Sequence, residues 1–217
     1  MCYPISGINS TQQKISFTRL LGTSLLLFIV MLMTQKTTKL EILPLQKESW
    51  SDLELLFGKQ GACNGCWCMY WRIGAAYNKR ERLLNKNDLK DIVLTGQPIG
   101  LLAYWDNIPV GWCQLTPRHA LPWLLKNGYG DINLSSNAWS ISCFYIKTGF
   151  RRKGITYALI KAAIEQAKNN GADLLEAYPR QSPNSFTGYP TTFKRAGFKL
   201  SKEVKYKRVV AFLNFKK

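Results

Sequence analysis

The stretch ISCFYIKTGFRRKGITYALIKAAIEQA, residues 141–167, changes its hydrophobic period halfway along. Its first residues, up to Ile146, are mostly β-branched, aromatic or apolar, which is typical of a buried strand. From Ile155 the apolar residues recur at helical spacing, and Asn169-Asn170-Gly171 ends the pattern where a glycine can adopt the left-handed conformation of a C-cap. The stretch therefore predicts a strand, a basic glycine-containing turn and a helix.

The turn between them is suited to binding phosphate. A turn that opens a helix presents backbone N–H groups without intrahelical partners, at the positive end of the helix dipole. Four basic side chains that can add charge-assisted hydrogen bonds surround it: Lys147, Arg151, Arg152 and Lys153. A solvated surface turn is the alternative that these features alone leave open.

The same residues resemble a known signature. Ile146–Thr156 resembles the acetyl-coenzyme A motif of the GNAT superfamily of N-acetyltransferases, in which a hydrophobic strand residue leads into Arg/Gln-x-x-Gly-x-Gly/Ala and a helix. Arg151, Gly154 and Ile155 match, whereas Thr148 stands where proline is usual and Thr156 where Gly or Ala is preferred. Phe193–Phe198, FKRAGF, resembles a second, late element of the family, aromatic-x-x-x-Gly-Phe. The resemblance covers residues 99–215.

The order of the predicted elements agrees with this family. From Leu40 the patterns predict a strand, two helices, three strands, a helix, a strand, a helix and two final strands, with the second helix at Asp88–Leu94 capped by Asn87. Order alone indicates a mixed α/β protein. The resemblance implies the GNAT fold, a central twisted mixed sheet flanked by helices, whose fourth and fifth strands diverge around the pantetheine arm. We expect one N-acetyltransferase domain at 40–217 and an N-terminal extension at 1–39.

The resemblance also implies a binding site for acetyl-CoA as cosubstrate. The backbone of Phe144, Tyr145 and Ile146 would pair with the pantetheine amides. The pyrophosphate would be held by the turn and the start of the helix, namely Arg151, Arg152, Lys153, Gly154, Ile155 and Thr156. The implied reaction is direct attack of a neutral amine on the thioester, which needs a polarised carbonyl, a base and an acid.

Glu176 is the candidate base, because it is a carboxylate within the otherwise apolar strand DLLEAY. Burial would raise its pKa into a useful range, whereas an outward-facing or ion-paired Glu176 is the alternative. Many family members protonate the leaving thiolate with a tyrosine of the late helix, where this chain has Phe193. We expect Tyr189, one helical turn earlier, to take that role, with Tyr178 and Tyr145 as alternatives. The only histidine, His119, is predicted in a surface loop.

The net charge of the 217-residue chain is +17, which favours anionic partners. Coenzyme A accounts for part of this excess, and no nucleic-acid-binding motif is visible, so nucleic acid is not expected. From Lys194 onward nine basic residues stand against Glu203 alone. Anchoring of this basic end to anionic lipid or RNA is therefore an alternative role.

Leu20–Met33 is a 14-residue apolar run, shorter than the roughly 20 residues that span a bilayer. It is interpreted as a dispensable extension before a start at Met33, as a membrane-associating helix, or as a signal peptide with a poor cleavage site. Membrane association is expected only through residues 20–33.

The cysteines of the segment 61–72, GACNGCWCMYWR, have three interpretations. They are small residues packed beside Trp67, Tyr70 and Trp71 over an acceptor pocket, or a zinc site, or a redox pair at Cys63 and Cys66. Zinc would need a fourth ligand from Cys113, Cys143 or His119, and no metal site is predicted. Nothing resembles a secreted disulfide framework, so the cytoplasm is the expected compartment.

We therefore expect a cytoplasmic acetyl-CoA-dependent N-acetyltransferase that acts on a small amine. The segment 61–72 contains no carboxylate, so a polycationic acceptor fits poorly and an acceptor with an anionic or aromatic part fits better. Two alternatives stay open: a non-catalytic GNAT-fold module that binds acyl-CoA or an anionic partner, and a cysteine-based zinc or thiol protein. A homodimer is also left open.

Overall fold

The computed structural model describes residues 39–129, 137–182, 185–201 and 209–216. The predicted extension before residue 39 and much of the basic C-terminal end therefore lie outside the described residues. Within them the strands are β1 (Leu40–Pro44), β2 (Gly100–Trp105), β3 (Ile108–Pro117), β4 (Ala138–Ile146), β5 (Leu174–Ala177), β6 (Lys199–Leu200) and β7 (Ala211–Asn214). The α-helices are α1 (Trp50–Phe57), α2 (Tyr70–Ile73), α3 (Arg82–Leu94), α4 (Pro122–Lys126), α5 (Ile155–Asn169) and α6 (Pro190–Arg195).

The strands form one mixed sheet in the order β1-β2-β3-β4-β5-β7-β6. Neighbouring strands are antiparallel except β4 and β5, which run parallel and are joined by the crossover helix α5. Asp106 and Asn107 connect β2 to β3 with φ of 50° and 65°. Two positive φ values are what a tight hairpin turn requires, and β2 and β3 form such a hairpin.

Apolar side chains cover both faces of the sheet. On one face α5 buries Ile155, Leu159 and Ala163 against the strands, Ile141 of β4 among them. On the other face α1 and α3 form a second core, with Trp67 and Trp112 in it. A smaller cluster joins α2 and α4, and it includes Trp71, Leu121 and Tyr178. The helical stripe predicted for residues 155–167 is therefore the buried face of α5.

The predicted fold class is confirmed, and two local predictions differ from the structure. The second helix begins at Arg82, so Asn87 lies inside it and is not a cap. The buried Asn85 bonds the carbonyls of Gly65 and Tyr77, so tertiary contacts extend this helix beyond its apolar pattern. The short helix α2 was not predicted. Among the described residues no helix is both long and apolar enough to cross a membrane.

Candidate active site

Strands β4 and β5 pair only over their first residues and then separate. Their parallel register begins at Ala138 with Leu174 and ends at Ile141 with Ala177. β4 continues to Ile146 alongside β3, so its last five residues have no partner strand on the β5 side. Lys147 N–H bonds the carbonyl of Val110 in β3, and strand alternation therefore turns the backbone of Phe144 and Ile146 toward the opening.

A row of buried polar side chains crosses the sheet just before this opening. Thr116 of β3 pairs with Ser140 of β4, and Ser140 pairs with Glu176 of β5. All three are buried, and their register places them on one face. The register shifts by one residue between Gln114 and Leu115, so Ser142 is the extra residue of a β-bulge. Bulges are common beside active sites because they redirect side chains.

Glu176 is fully buried and ends this row on β5. Its Oε2 accepts hydrogen bonds from Arg118 at 3.1 Å and from the Tyr178 hydroxyl at 3.2 Å. The Tyr178 hydroxyl lies 3.0 Å from the hydroxyl of Ser140. Burial raises the pKa of Glu176, and the Arg118 charge and both hydrogen bonds counteract part of that rise. Oε1 of Glu176 is buried and has no hydrogen-bond partner among the described residues.

The segment 185–188 reaches back to the open edge of β4. The carbonyl of Phe186 accepts a hydrogen bond of 2.6 Å from the backbone N–H of Phe144. A Cβ on Gly188 would lie 3.4 Å from the Phe144 ring and 3.0 Å from Phe193, so this segment is closely packed there. In this conformation the N–H of Phe144 is already paired, and pantetheine could bond it only after the segment moves.

The basic turn follows the open edge directly. Gly154 precedes α5 with φ of 80°, and a Cβ on it would meet open space. The first helical hydrogen bond runs from Ala158 N–H to the Gly154 carbonyl, so the N–H groups of residues 155–157 have no intrahelical partner. No side chain caps them. These donors are what an anion requires.

The basic side chains of the turn are all exposed, but they have different contacts. Arg151 donates from Nε to the Ile146 carbonyl at 3.2 Å, which links the turn to the end of β4. Arg152 has φ of 62°, unusual for a residue with a side chain. The Lys153 ammonium lies 5.1 Å from the Trp105 ring centre and 5.2 Å from that of Phe150. The turn thus has a defined conformation with open N–H groups and surrounding positive charge.

The candidate tyrosines lie in different environments. Tyr189 precedes α6 and is 42% exposed, next to the segment that bonds β4. Phe193 is fully buried against Phe144 and Phe198. Tyr178 bonds Glu176 directly, and burial, with the nearby Glu176 charge, raises its pKa well above the usual value.

The cysteines are thiols within the described part of the chain. Cys68 is buried under the sheet, and its sulfur accepts a hydrogen bond of 3.2 Å from the Trp112 indole. A hydrogen bond from Cys143, with help from Trp112, lowers the pKa of Cys68. Burial raises the pKa of Cys66 to about 12. Across residues 39–129, 137–182, 185–201 and 209–216, no three His, Cys, Asp or Glu side chains are placed to hold a metal ion.

A cavity of about 170 Å³ lies elsewhere, where β2, β3 and the beginning of β4 meet the end of α5. Gly100, Leu115, Trp139 and Asn170 contribute to its wall, and no side chain in the wall is acidic, basic or a thiol. It therefore offers no group for acid–base chemistry, and the β4–β5 opening is the better candidate.

Sequence reasoning missed two arginines of the site, Arg118 and Arg72. Arg118 forms the buried ion pair with Glu176. Arg72 of α2 donates to the carbonyl of Ala120, two residues beyond Arg118. Both belong to short elements without a hydrophobic period, so no sequence pattern marks them.

The comparisons with known proteins agree with this geometry. The model of the acetyltransferase (GNAT) family matches residues 66–185. A PaiA N-acetyltransferase from Thermoplasma acidophilum, determined with coenzyme A, is 14% identical at a TM-score of 0.52, over 82% of this chain and 99% of that one. An N-acetyltransferase from Staphylococcus aureus Mu50 is 16% identical at a TM-score of 0.53, and the match covers 82% of this chain and 99% of that one. A Salmonella typhimurium protein, determined with its cofactor acetyl-CoA, is 14% identical at a TM-score of 0.50, and the match covers 82% of this chain and 95% of that one.

At these identities the solved structures show a shared fold, and a comparison with curated protein sequences finds no match. The family model covers more than half of the chain and includes the opening, the basic turn and Glu176. The chain therefore belongs to the GNAT family of acetyltransferases.

Proposed function

We propose that this protein is an N-acetyltransferase that transfers the acetyl group of acetyl-CoA to the amine of a small molecule. The main support is one juxtaposition. The opening between β4 and β5 has an anion-binding turn beyond the end of β4 and a buried carboxylate, Glu176, beside the point of divergence. A cosubstrate that is both extended and anionic suits such an opening.

The residues of the opening fit acetyl-CoA. On the open edge formed by Phe144, Tyr145 and Ile146, the backbone groups of Phe144 and Ile146 would pair with the amides of the pantetheine arm. The pairing of Phe144 with Phe186 indicates that this edge accepts an extended chain. Arg151, Arg152, Lys153, Gly154, Ile155 and Thr156 would hold the pyrophosphate through backbone N–H groups and positive charge. When bound, acetyl-CoA supplies an activated acetyl group.

Glu176 is the proposed base. Its raised pKa makes it a stronger proton acceptor than an ordinary carboxylate, and Oε1 is free of hydrogen bonds among the described residues. In the transfer, the amine nitrogen bonds to the acetyl carbon and the carbon–sulfur bond breaks. The amine proton passes to Oε1, and the departing sulfur takes a proton from Tyr189, the proposed acid.

The remaining expectations are part of the same proposal. Residues 40–217 would form the single catalytic domain, since Lys39–Lys217 make one compact unit. A reducing cytoplasm suits the free thiols of the described cysteines. Self-association and membrane contact through residues 20–33 stay predictions from the sequence.

Titration calorimetry of the full chain with acetyl-CoA tests the binding half of the proposal. We expect saturable binding in the micromolar to millimolar range that coenzyme A competes for. An absence of binding there would overturn the proposal.

Release of free coenzyme A thiol across a panel of small amines tests the catalytic half. Amine-dependent release is expected in the wild type and should be strongly reduced in Glu176→Gln. Saturable acetyl-CoA binding without turnover of any amine would favour the non-catalytic binding module, in which the buried Phe193 stands where a catalytic tyrosine is usual.

A further inference from the structure

Arg72 has a buried charge that the described protein groups satisfy only in part. Its NH1 donates to the carbonyl of Ala120 at 3.0 Å. Its Nε and NH2 are both buried and have no hydrogen-bond partner among the described residues. Within the same residues no carboxylate forms an ion pair with it. Burial lowers the pKa of Arg72, and the charge of the Cys68 thiolate opposes that shift. A guanidinium nevertheless stays protonated in proteins, and buried unpaired donors are costly, so among the described residues Nε and NH2 lack an anion to bond.

The two unpaired donors lie on the same edge of the guanidinium. Nε–H and the nearer N–H of NH2 point in one direction, which is the geometry that accepts both oxygens of a carboxylate. NH1 is held on the other side by Ala120. The residue is thus anchored on one side and presents a bidentate anion-binding edge on the other.

Arg72 and the proposed base contact the same short element. Both residues contact the single-turn helix Arg118–Ala120, Arg72 through the Ala120 carbonyl and Glu176 through the Arg118 guanidinium. Trp71, the neighbour of Arg72, packs 6.3 Å from the ring of Tyr178, whose hydroxyl bonds Glu176. A short run of contacts therefore connects Arg72 with Glu176, and each of the two side chains retains polar atoms without a hydrogen-bond partner among the described residues.

We propose that the acceptor is an amine that also bears a carboxylate, as an amino acid does, and that Arg72 binds the carboxylate while Glu176 receives the amine proton. This rests on the proposed function. Since Arg118 is already paired with Glu176, we assign the positive charge for the ligand to Arg72. A single charge matches a monoanionic carboxylate better than a phosphate, and it disfavours polycationic acceptors.

Thiol release with matched pairs of acceptors tests this substrate class. Each free L-amino acid in the panel is compared with its own amide, which keeps the amine and lacks the carboxylate, and rates are corrected for the fraction of neutral amine. We expect kcat/KM for the acids to exceed that for the amides by about 10- to 100-fold, since hydrogen bonds to charged groups are strong. O-phosphoethanolamine and a polyamine complete the panel.

The Arg72→Gln variant assigns the preference to this residue. It should remove most of the acid-over-amide ratio through a higher KM for the acids, and Arg72→Lys should retain part of the ratio. Arg82→Gln, which removes an exposed arginine that bonds Gln60, is the matched control and should leave the ratio unchanged. If a thermal melt shows that the Arg72 variants are unfolded, the ratio of kcat/KM for acids to kcat/KM for amides in the wild type alone tests the proposal.

Equal kcat/KM for acids and amides overturns the inference, and so does a preference for the phosphate-bearing amine or the polyamine. Unchanged selectivity in a folded Arg72→Gln protein overturns it as well. These outcomes all presuppose acetyl-CoA binding and turnover. Failure of acetyl-CoA to bind the wild type would instead contradict the proposed function.

Discussion

Glu176 is held between opposing electrostatic effects, and its protonation should govern the rate. Because burial raises its pKa, kcat/KM should rise with pH through an apparent pKa above that of an ordinary carboxyl group. Replacing Glu176 with Gln removes the proton acceptor, so we expect kcat to fall about 10²- to 10⁴-fold and this acidic limb to disappear. A pH–rate profile of both proteins checks the prediction, which an unchanged limb in the variant would contradict.

Arg118 tunes that carboxylate. Its charge lowers the pKa of Glu176 against the larger effect of burial, so Arg118→Gln should raise the pKa further. With a higher pKa, Glu176 ionises only at higher pH. The rise of kcat/KM on the acidic side of the pH–rate profile should therefore move to higher pH. A limb that moves to lower pH, or stays in place in a variant that melts like the wild type, would refute this direction.

Substitution of Gly154 should affect the binding of the cosubstrate. At φ of 80° a side chain adds strain, and it would stand between an anion and the open N–H groups of α5. Gly154→Val should weaken acetyl-CoA binding about tenfold or more by calorimetry, at a stability cost of roughly 1–2 kcal/mol. Gly149→Ala, on the same turn, also enters open space but has no left-handed φ, and it should bind as the wild type does.

At the scale of residues, sequence reasoning reached Glu176 and Tyr178, which bonds it, but not Arg118 or Arg72. A carboxylate inside an apolar strand stands out, because strand geometry buries alternate residues without regard to their charge. Arg72 and Arg118 do not stand out. Their burial results from contact between α2, the Arg118–Ala120 turn and β5, which are far apart in sequence. A local hydrophobic period in the sequence does not indicate contacts between such distant segments.

Among the elements, β4 has two competing partners on its open edge. The segment 185–188 holds Phe144 N–H in the free protein, and the proposed pantetheine site uses the same edge. Acetyl-CoA should therefore release this segment. Hydrogen exchange measured by mass spectrometry should become faster at 185–188 and slower at 151–157 when acetyl-CoA is added. Exchange that slows at both places would show that cosubstrate and segment bind together.

The elements that could be predicted are those with a long period. β4, the turn and α5 follow from one stretch because the pattern changes sharply at the turn. Helix α2 has only four residues and is held by aromatic packing, such as that of Tyr70 on Tyr77 and of Trp71 on Tyr129. Tertiary contacts decide such short helices, and propensity does not.

For the whole molecule, the domain boundary is the feature most open to test. Lys39 pairs with Asp106 through its N–H and its carbonyl, which ties the first described residue to the β2–β3 turn. A chain that starts at Met33 should melt like the full chain and keep its acetyl-CoA affinity. A chain that starts at Ile42 loses this pairing and should melt at lower temperature. Equal fractions of the full and shortened proteins bound to lipid vesicles would count against a membrane role of residues 20–33.

The architecture of the whole chain was more predictable than its chemistry. The order of strands and helices repeats the order of patterns in the sequence, and the family signature lies in one continuous segment. The candidate site instead gathers side chains from α2, the Arg118–Ala120 turn, β4 and β5. The distances between these side chains depend on the packing of the complete sheet, and a sequence pattern does not indicate them.

The hydrogen bond between Phe144 and Phe186 has one more effect. A strand with an uncovered edge can recruit a strand from another molecule, which is a common beginning of aggregation. The carbonyl of Phe186 occupies the N–H of Phe144, so a strand of another copy would find this donor of the β4 edge already paired. The segment 185–188 thus protects this part of the edge from pairing between copies.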